Sequence, residues 1–376
     1  MNKVKRSKFI GEVIQRLSAL VLALAVIVLV PGGCRLSGRD PAEKGKLSIV
    51  ATIFPPYDFA RQIGGEHVNV TLLLPPGSES HTYEPTPKEI VRIAEADLFI
   101  YTGGVSDTWV ERLLDAAEID RAKTVRMMDY VNALEESHEG ILDREADHHD
   151  HADGAEPAGE DHHEGDGSSE SKVQDNDGHR DEDAEGSDHE EEHGHGHEHG
   201  LDEHIWTSPV NALKIAEGIV SRLIAADKKH ESDYRKNFDN LRHDLMELDK
   251  EFRAIRNESK HPELIVADRF PLLYFASEYG FSYMAAYPGC AAETEPKPQT
   301  VAAMIEKVRS GKVAYVFYIE FSNQKLADLI TAETGAGKLL FHSAHNVTME
   351  EMKGGATYVS IMRANAENLR KALIGS

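Results

Sequence analysis

Tyr234, Phe238, Leu241, Leu245, Leu248, Phe252 and Ile255 recur at steps of 4, 3, 4, 3, 4, 3. That spacing holds all seven on one face of an α-helix, because residues three and four apart stack over one another on successive turns. At 1.5 Å rise per residue the stripe makes a rod of roughly 35 Å. Lys, Asp and Glu clothe the other faces. A rod this long suits a rigid strut lying across two bodies of a monomer. Its competitor is the seam of a coiled-coil dimer, for which about three heptads is the lower limit.

On both sides of the strut the chain alternates β-rich and helical pieces. Before it, 47–54, 68–74 and 97–101 read as strands and 57–63, 87–95 and 105–117 as helices. Pro209 then opens a further helix reaching about Asp227, since a helix's first turn has no use for the missing N–H. After the strut, 263–266, 282–285, 313–319 and 338–341 read as strands, and 272–279, 300–310, 324–334 and 358–373 as helices. Alternation of this kind builds parallel sheets flanked by helices. The expected fold is α/β: two lobes, 46–226 and 259–376, each with a parallel sheet, joined by a long rigid linking helix over 227–258.

The stretch from His138 to Glu203 holds 25 Asp/Glu, 3 Lys/Arg and 12 His, and so carries −22 of the formal net charge of −24. A segment so poor in large apolar side chains buries too little to offset its ordering entropy, and residues 137–201 are expected to be a disordered loop of the first lobe. Histidine at this density points to divalent metal bound by neutral imidazole. His148, His149, His151, His193, His195, His197 and His199 are the candidates for accessory collection. A solvated acidic linker would leave the interleaved histidines unexplained.

Lys3, Lys5, Arg6 and Lys8 precede an apolar run from Leu17 to Val30, 14 residues long. This is short for a bilayer span and right for the core of an export signal. Pro31-Gly32-Gly33 sets small residues before Cys34, as in a bacterial lipoprotein signal, although proline stands where Leu or Val is usual. Residues 1–33 are therefore expected to be a signal peptide and Cys34 a lipid-bearing membrane anchor, with the body outside the cytoplasm. The only other cysteine is Cys290, read as a small packed residue. With Cys34 lipidated no intramolecular disulfide forms, and stability must come from the core. No basic stripe with interleaved aromatics is present, which argues against a nucleic-acid partner.

In open α/β sheets, ligands gather beyond the carboxyl ends of the strands. His81 lies in a Pro-Gly-rich loop after the strand over 68–74, and His204 just before the Pro209 helix. Asp268 follows the strand over 263–266, and His342 and His345 follow the last strand. Imidazoles and a carboxylate on four such loops make a candidate divalent metal site. No nucleophile elbow, phosphate-binding P-loop or GxGxxG accompanies them.

The pieces Ser78-x-x-His81-x-Tyr83-Glu84-Pro85-Thr86-Pro87, Asp202-Glu203-His204-Ile205-Trp206-x-Ser208-Pro209 and Tyr358-x-x-x-Met362-x-x-Asn365-x-x-x-Leu369 resemble the zinc-type metal-binding lipoproteins of bacterial ABC importers. A His-rich loop directly before the second piece fits the same family. The resemblance runs from about Leu47 to the end. It implies an ion held between two α/β lobes linked by a long helix and handed to a membrane permease. Ligand roles pass to His81 and His204. The third family ligand, a His five residues before a Tyr-Phe pair, falls on Arg269, which stays protonated and cannot ligate, so Asp268 is the expected substitute. The fourth, normally an acid after the last strand, falls near His342, with His345 as the alternative.

The resulting set, His81, His204, Asp268 and His342, suits zinc in a four-coordinate shell. Manganese, the alternative, would call on more carboxylate oxygen from Glu293, Glu295 or Glu320. Glu293 and Glu320 are also candidates for orienting a ligating His. A binding protein rather than an enzyme is expected, since a metallohydrolase needs an open coordination position and a placed base, and no HExxH helix exists. A zinc-buffering or adhesive surface protein is the remaining competitor.

Overall fold

The structure is a computed structural model that describes residues 45–79, 83–136, 200–289 and 296–375. Expectations resting on Cys34, His81, Cys290, Glu293, Glu295 and the histidines between 138 and 199 lie outside these residues. Among the described residues two four-stranded sheets form, and both are wholly parallel. The first contains β1 (Leu47–Ala51), β2 (Val68–Leu72), β3 (Leu98–Tyr101) and β4 (Thr124–Arg126) in the order β2-β1-β3-β4. The second contains β5 (Glu263–Phe270), β6 (Ser282–Pro288), β7 (Tyr315–Tyr318) and β8 (Gly337–Leu340) in the order β6-β5-β7-β8. Both sheets thus wind alike, with the strand order reversing between β1 and β3 and between β5 and β7. Such switch points open the crevices in which α/β proteins hold ligands.

The helices of the first lobe are α1 (Phe54–Gly64), α2 (Pro87–Glu95), α3 (Thr108–Ala116) and α4 (Pro209–Ala226). The strut is α5 (Glu231–Glu258), and α6 (Leu273–Tyr279), α7 (Pro298–Gly311), α8 (Lys325–Thr334), α9 (Met349–Lys353) and α10 (Tyr358–Leu373) follow. The expected two-lobe α/β class is what the chain adopts. Locally it differs in places. Phe54 opens α1 instead of closing β1, because Pro55 and Pro56 occupy the first helical turn, where a fixed φ helps and no N–H is required. β4 is only three residues long, too short to leave a period in the sequence. The unforeseen α9 is started by a capping box in which Thr348 and Glu351 each satisfy the other's backbone N–H.

One core runs through both lobes. Ile49, Phe59, Trp206, Ile219, Leu248, Phe252, Phe275, Phe317, Phe341 and Met362 belong to a single buried cluster. On α5, Tyr234, Leu241, Leu245, Leu248, Phe252 and Ile255 are buried and Phe238 packs against the same cluster. The stripe meets α1 and α4 on one side and α6 and α10 on the other. Its apolar face is therefore filled from within the chain, which leaves no seam for a coiled-coil partner. The outer sheet faces have smaller clusters, one around Val50, Phe99 and Leu114 and one around Ile265, Met304 and Ile330. Val50 faces out while Ile49 and Ala51 face in, the two-residue alternation of a strand. No helix among the described residues is long and apolar enough to cross a membrane.

Because α5 serves both lobes, truncating its buried stripe should weaken the whole fold. Phe252→Ala is expected to cost about 3–5 kcal/mol, while Met246→Ala, on the exposed face, should stay within about 0.5 kcal/mol. Urea denaturation would show this as a lower midpoint with little change of slope for the first and no shift for the second.

Candidate metal centre

The run Asp202-Glu203-His204-Ile205-Trp206 is at most 2% exposed throughout, although three of its five side chains are ionisable. Burying such groups is tolerable only where each is answered by a partner. Asp202 Oδ1 accepts the His204 backbone N–H at 2.8 Å and lies 3.1 Å from His204 Nδ1. Glu203 accepts from the Ser106 backbone N–H at 2.9 Å and also from the Ser106 hydroxyl. Trp206 Nε1 donates to Ser343 O at 2.9 Å, and Tyr358 OH to Trp206 O at 2.6 Å. Tyr274 OH closes on Asp202 O at 2.8 Å.

These bonds set the chemistry of His204. With Nδ1–H donated to Asp202, the lone pair of the neutral ring sits on Nε2, the form suited to holding a metal. Burial works against a charged His204, but Asp202, Glu203 and Glu136 outweigh it and hold the pKa above the ordinary value. His345 stands beside it. Their rings are 5.7 Å apart and nearly perpendicular, and the His345 ring lies 5.0 Å from the Trp206 indole. The turn that brings His345 there has Ala344 at φ +61°, a left-handed conformation that a non-glycine residue adopts at some cost.

His204 and His345 line a common cleft with Glu79, Arg269, Gly289, Glu320 and Ser343. Gly289 is there by necessity. A Cβ on it would stand 2.9 Å from Phe270 O and 3.3 Å from His204 Cε1. Glu320 accepts the Ser343 backbone N–H at 2.7 Å and bonds its hydroxyl, so it braces the segment that carries His345.

Two other expected ligands, Asp268 and His342, are not among the residues that line the cleft. The pairing of β5 with β6 is irregular between Val266 and Arg269, and such an interruption changes which side chain faces a given side. It is Arg269 that enters the cleft, while Asp268 bonds the Arg269 N–H at 2.9 Å and Ser322. Burial raises the Asp268 pKa against those bonds. His342 is also outside the cleft lining. Its Nδ1 accepts the Ala344 N–H at 2.9 Å, and its backbone N–H and C=O are both held by the Asn365 side chain. Its Nε2 is buried 3.7 Å from Glu351 Oε1, beyond hydrogen-bonding distance. Burial opposes its charge, but Glu320 and Glu351 raise its pKa, and His342 in turn brings Glu351 down to about 2. The expectation for the fourth position thus divides by location, with His345 in the cleft and His342 behind it. Among the described residues no three His, Cys, Asp or Glu side chains converge closely enough to hold an ion. Glu79, two residues before His81 in the same loop, lines the cleft without being among the expected ligands.

A second, smaller pocket shares His345 with the first and is lined by Thr52, Tyr83, Asp107, Trp109 and Glu203 among others. Burial, with the Glu203 carboxylate nearby, pushes Asp107 up to about 6, although the Gly103 and Thr102 N–H groups on Oδ2 pull it down.

Two sheets of identical winding, one shared core and an imidazole-bearing cleft at the strand ends define a two-lobe α/β binding protein. The chain belongs to the family described as zinc-uptake complex component A, periplasmic, whose pattern matches residues 49–372. It is 30% identical over 357 residues to the zinc-binding lipoprotein AdcA of Streptococcus pneumoniae R6, covering 95% of this chain and 61% of that protein. It therefore spans only about three fifths of that relative's length. Over 358 residues it is 26% identical to the high-affinity zinc uptake system protein ZnuA of Bacillus subtilis 168, covering 94% and 96%. The crystal structure of the Zn(II)-bound ZnuA-like domain of Streptococcus pneumoniae AdcA matches with a TM-score of 0.63 at 26% identity, covering 88% of this chain and all of that one.

Asp107 generates a stability prediction for the protein without added metal. An aspartate whose folded pKa is raised contributes its full stability below the unfolded value and loses it as pH rises through the folded value, here about 6. Asp107→Asn keeps an oxygen for the Thr102 and Gly103 N–H groups and removes the charge. It should stabilise the fold by roughly 1–3 kcal/mol near pH 8, with the gain vanishing near pH 4. Urea midpoints measured across that range would show it.

Proposed function

We propose that the chain captures zinc in the cleft between its lobes and delivers it to the permease of an ABC importer, outside the cytoplasm and tethered through a lipid on Cys34. The observation that carries this reading is the pair His204 and His345 at one cleft, with His204 held by Asp202 in the tautomer that presents Nε2. It is supported by membership of the zinc-uptake family and by the Zn(II)-bound domain of the pneumococcal relative. Neutral imidazole is a ligand that zinc accepts readily, whereas manganese favours oxygen. The proposed ligands are His204, His345 and, from the loop after β2, His81. Asp268 and His342 take supporting roles, the first fixing the turn at Arg269 and the second bracing the segment before His345. The histidines between 138 and 199 would gather zinc at lower affinity and feed it inward. This is a binding and delivery function, not hydrolysis.

Calorimetry with zinc should show one tight site that persists after deletion of 137–199. His204→Ala or His345→Ala should weaken it by more than about 100-fold, beyond the loss usual for an orienting neighbour, while His342→Ala leaves the tight site in place. Tight binding that vanished with the deleted tract and survived both cleft variants would overturn the proposal.

Gly289→Ala tests the same cleft from its wall. The added methyl must displace the Phe270 carbonyl or the His204 ring, so zinc binding should weaken by about 10-fold or more, with the far-ultraviolet spectrum unchanged. Wild-type affinity in that variant would show that the His204 ring position is immaterial to binding.

A further inference from the structure

Arg269 places a permanent positive charge in the cleft beside His204 and His345. Its Nη2 lies 3.1 Å from Glu79 Oε1 and 3.3 Å from Glu79 Oε2, so a single N–H edge faces both carboxylate oxygens. The partners come from opposite lobes. Arg269 sits where the β5–β6 pairing resumes after its irregularity, and Glu79 follows β2. The loop carrying Glu79 is anchored to the second lobe on its own account: Asn346 Nδ2 donates to Pro75 O at 2.8 Å and Ser78 O at 2.9 Å, and Gly77 N–H to Val347 O at 2.9 Å. The loop and the strand end thus each have backbone or side-chain bonds besides the ion pair. The pair therefore has another consequence, since Glu79 lines the same cleft as the two imidazoles and a dication there would attract the carboxylate that Arg269 holds.

We propose that Arg269 sets the metal affinity of the cleft by acting through Glu79: Arg269 and a divalent cation bound at His204 and His345 compete for the Glu79 carboxylate. This rests on the cleft being the zinc site. Metal entry exchanges one partner of Glu79 for another, and Arg269, itself unable to ligate, turns toward solvent on its flexible stem. The exchange moves no proton and breaks no covalent bond. It makes the carboxylate available to the ion only at the expense of an existing ion pair, so the site holds its cargo less tightly than the same donors would without Arg269. Arg269 is accordingly a positioning residue for Glu79, in the place where the family resemblance implies a ligand.

The test is a double-mutant cycle on the full chain, with zinc affinity read by competition against a chromophoric chelator. Arg269→Met should bind zinc about tenfold more tightly than wild type and Glu79→Gln about tenfold more weakly. In the Glu79→Gln background, Arg269→Met should change affinity by less than about threefold, because no carboxylate remains to be released. Arg269→Lys, which keeps the charge, should stay near wild type. Thermal melts of each variant without metal confirm that all are folded. If Arg269→Met bound no more tightly than wild type, the proposal would fail. If it tightened binding equally in both backgrounds, Arg269 would act by plain repulsion and the exchange would also be excluded. His204→Ala in the same assay separates the two readings. Its loss of binding alongside an inert Arg269→Met sinks only the exchange, while wild-type affinity in His204→Ala sinks the cleft.

Discussion

Trp206 is bonded to the second lobe at both ends of its residue, through its indole N–H to Ser343 O and through its carbonyl to Tyr358 OH. Nearly everything at the site depends on this. The indole is fully buried and belongs to the core cluster that spans both sheets, so its two hydrogen bonds form away from water, where leaving either partner unmade would be costly. His204 lies two residues earlier and His345 two residues after Ser343. Fixing Trp206 to Ser343 therefore fixes the two imidazoles relative to each other, although they are 141 positions apart in the chain.

The strut extends the same constraint. Two α/β lobes joined only by a linker would be free to hinge, because interdomain contacts are commonly small and polar. Here α5 packs one apolar stripe against helices of both lobes, and further bonds such as Tyr274 OH to Asp202 O cross close to the cleft. Such a frame holds a ligand by preformed walls rather than by large closure. What can move at low cost are the groups at its rim, of which the Glu79–Arg269 pair is the example on partly exposed side chains.

The architecture was legible because its signals are periodic and long. The 4-3 stripe of α5 and the βα alternation each rest on many residues, so tertiary packing had little scope to override them. The elements that escape this pattern are short. β4 has three residues, and α9 is a single turn whose only local signature is the capping pair Thr348-x-x-Glu351. At the site the limit was of another kind. His342 and His345 are three residues apart on one loop, and the sequence offers both as imidazoles after a strand. The left-handed Ala344 and the Asn365 clamp on His342, neither of them legible in the residue pattern, accompany the placement of His345 rather than His342 in the cleft. Likewise Asp268 and Arg269 are neighbours, and the break in β5–β6 pairing, invisible in the residue pattern, decides which of them enters.

Arg269 then gives the electrostatics of the cleft an unusual balance. A donor set built for tightest retention would surround a dication with anions and neutral nitrogens. Among the described residues the cleft has two imidazoles and two carboxylates, Glu79 and Glu320, yet each carboxylate already has a partner, Arg269 for the first and Ser343 for the second. The Ser343 partner is neutral and leaves the Glu320 charge in place. The Arg269 partner cancels one, and because it is half-shielded from water its field is screened less than that of a surface arginine. In the proposed delivery role the ion must be released as well as seized, and affinity differences among related complexes reside mostly in the off-rate. On the proposed exchange, a fixed cation where the family resemblance implies a ligand moves the balance toward release and leaves the imidazoles, a donor type that suits zinc, untouched.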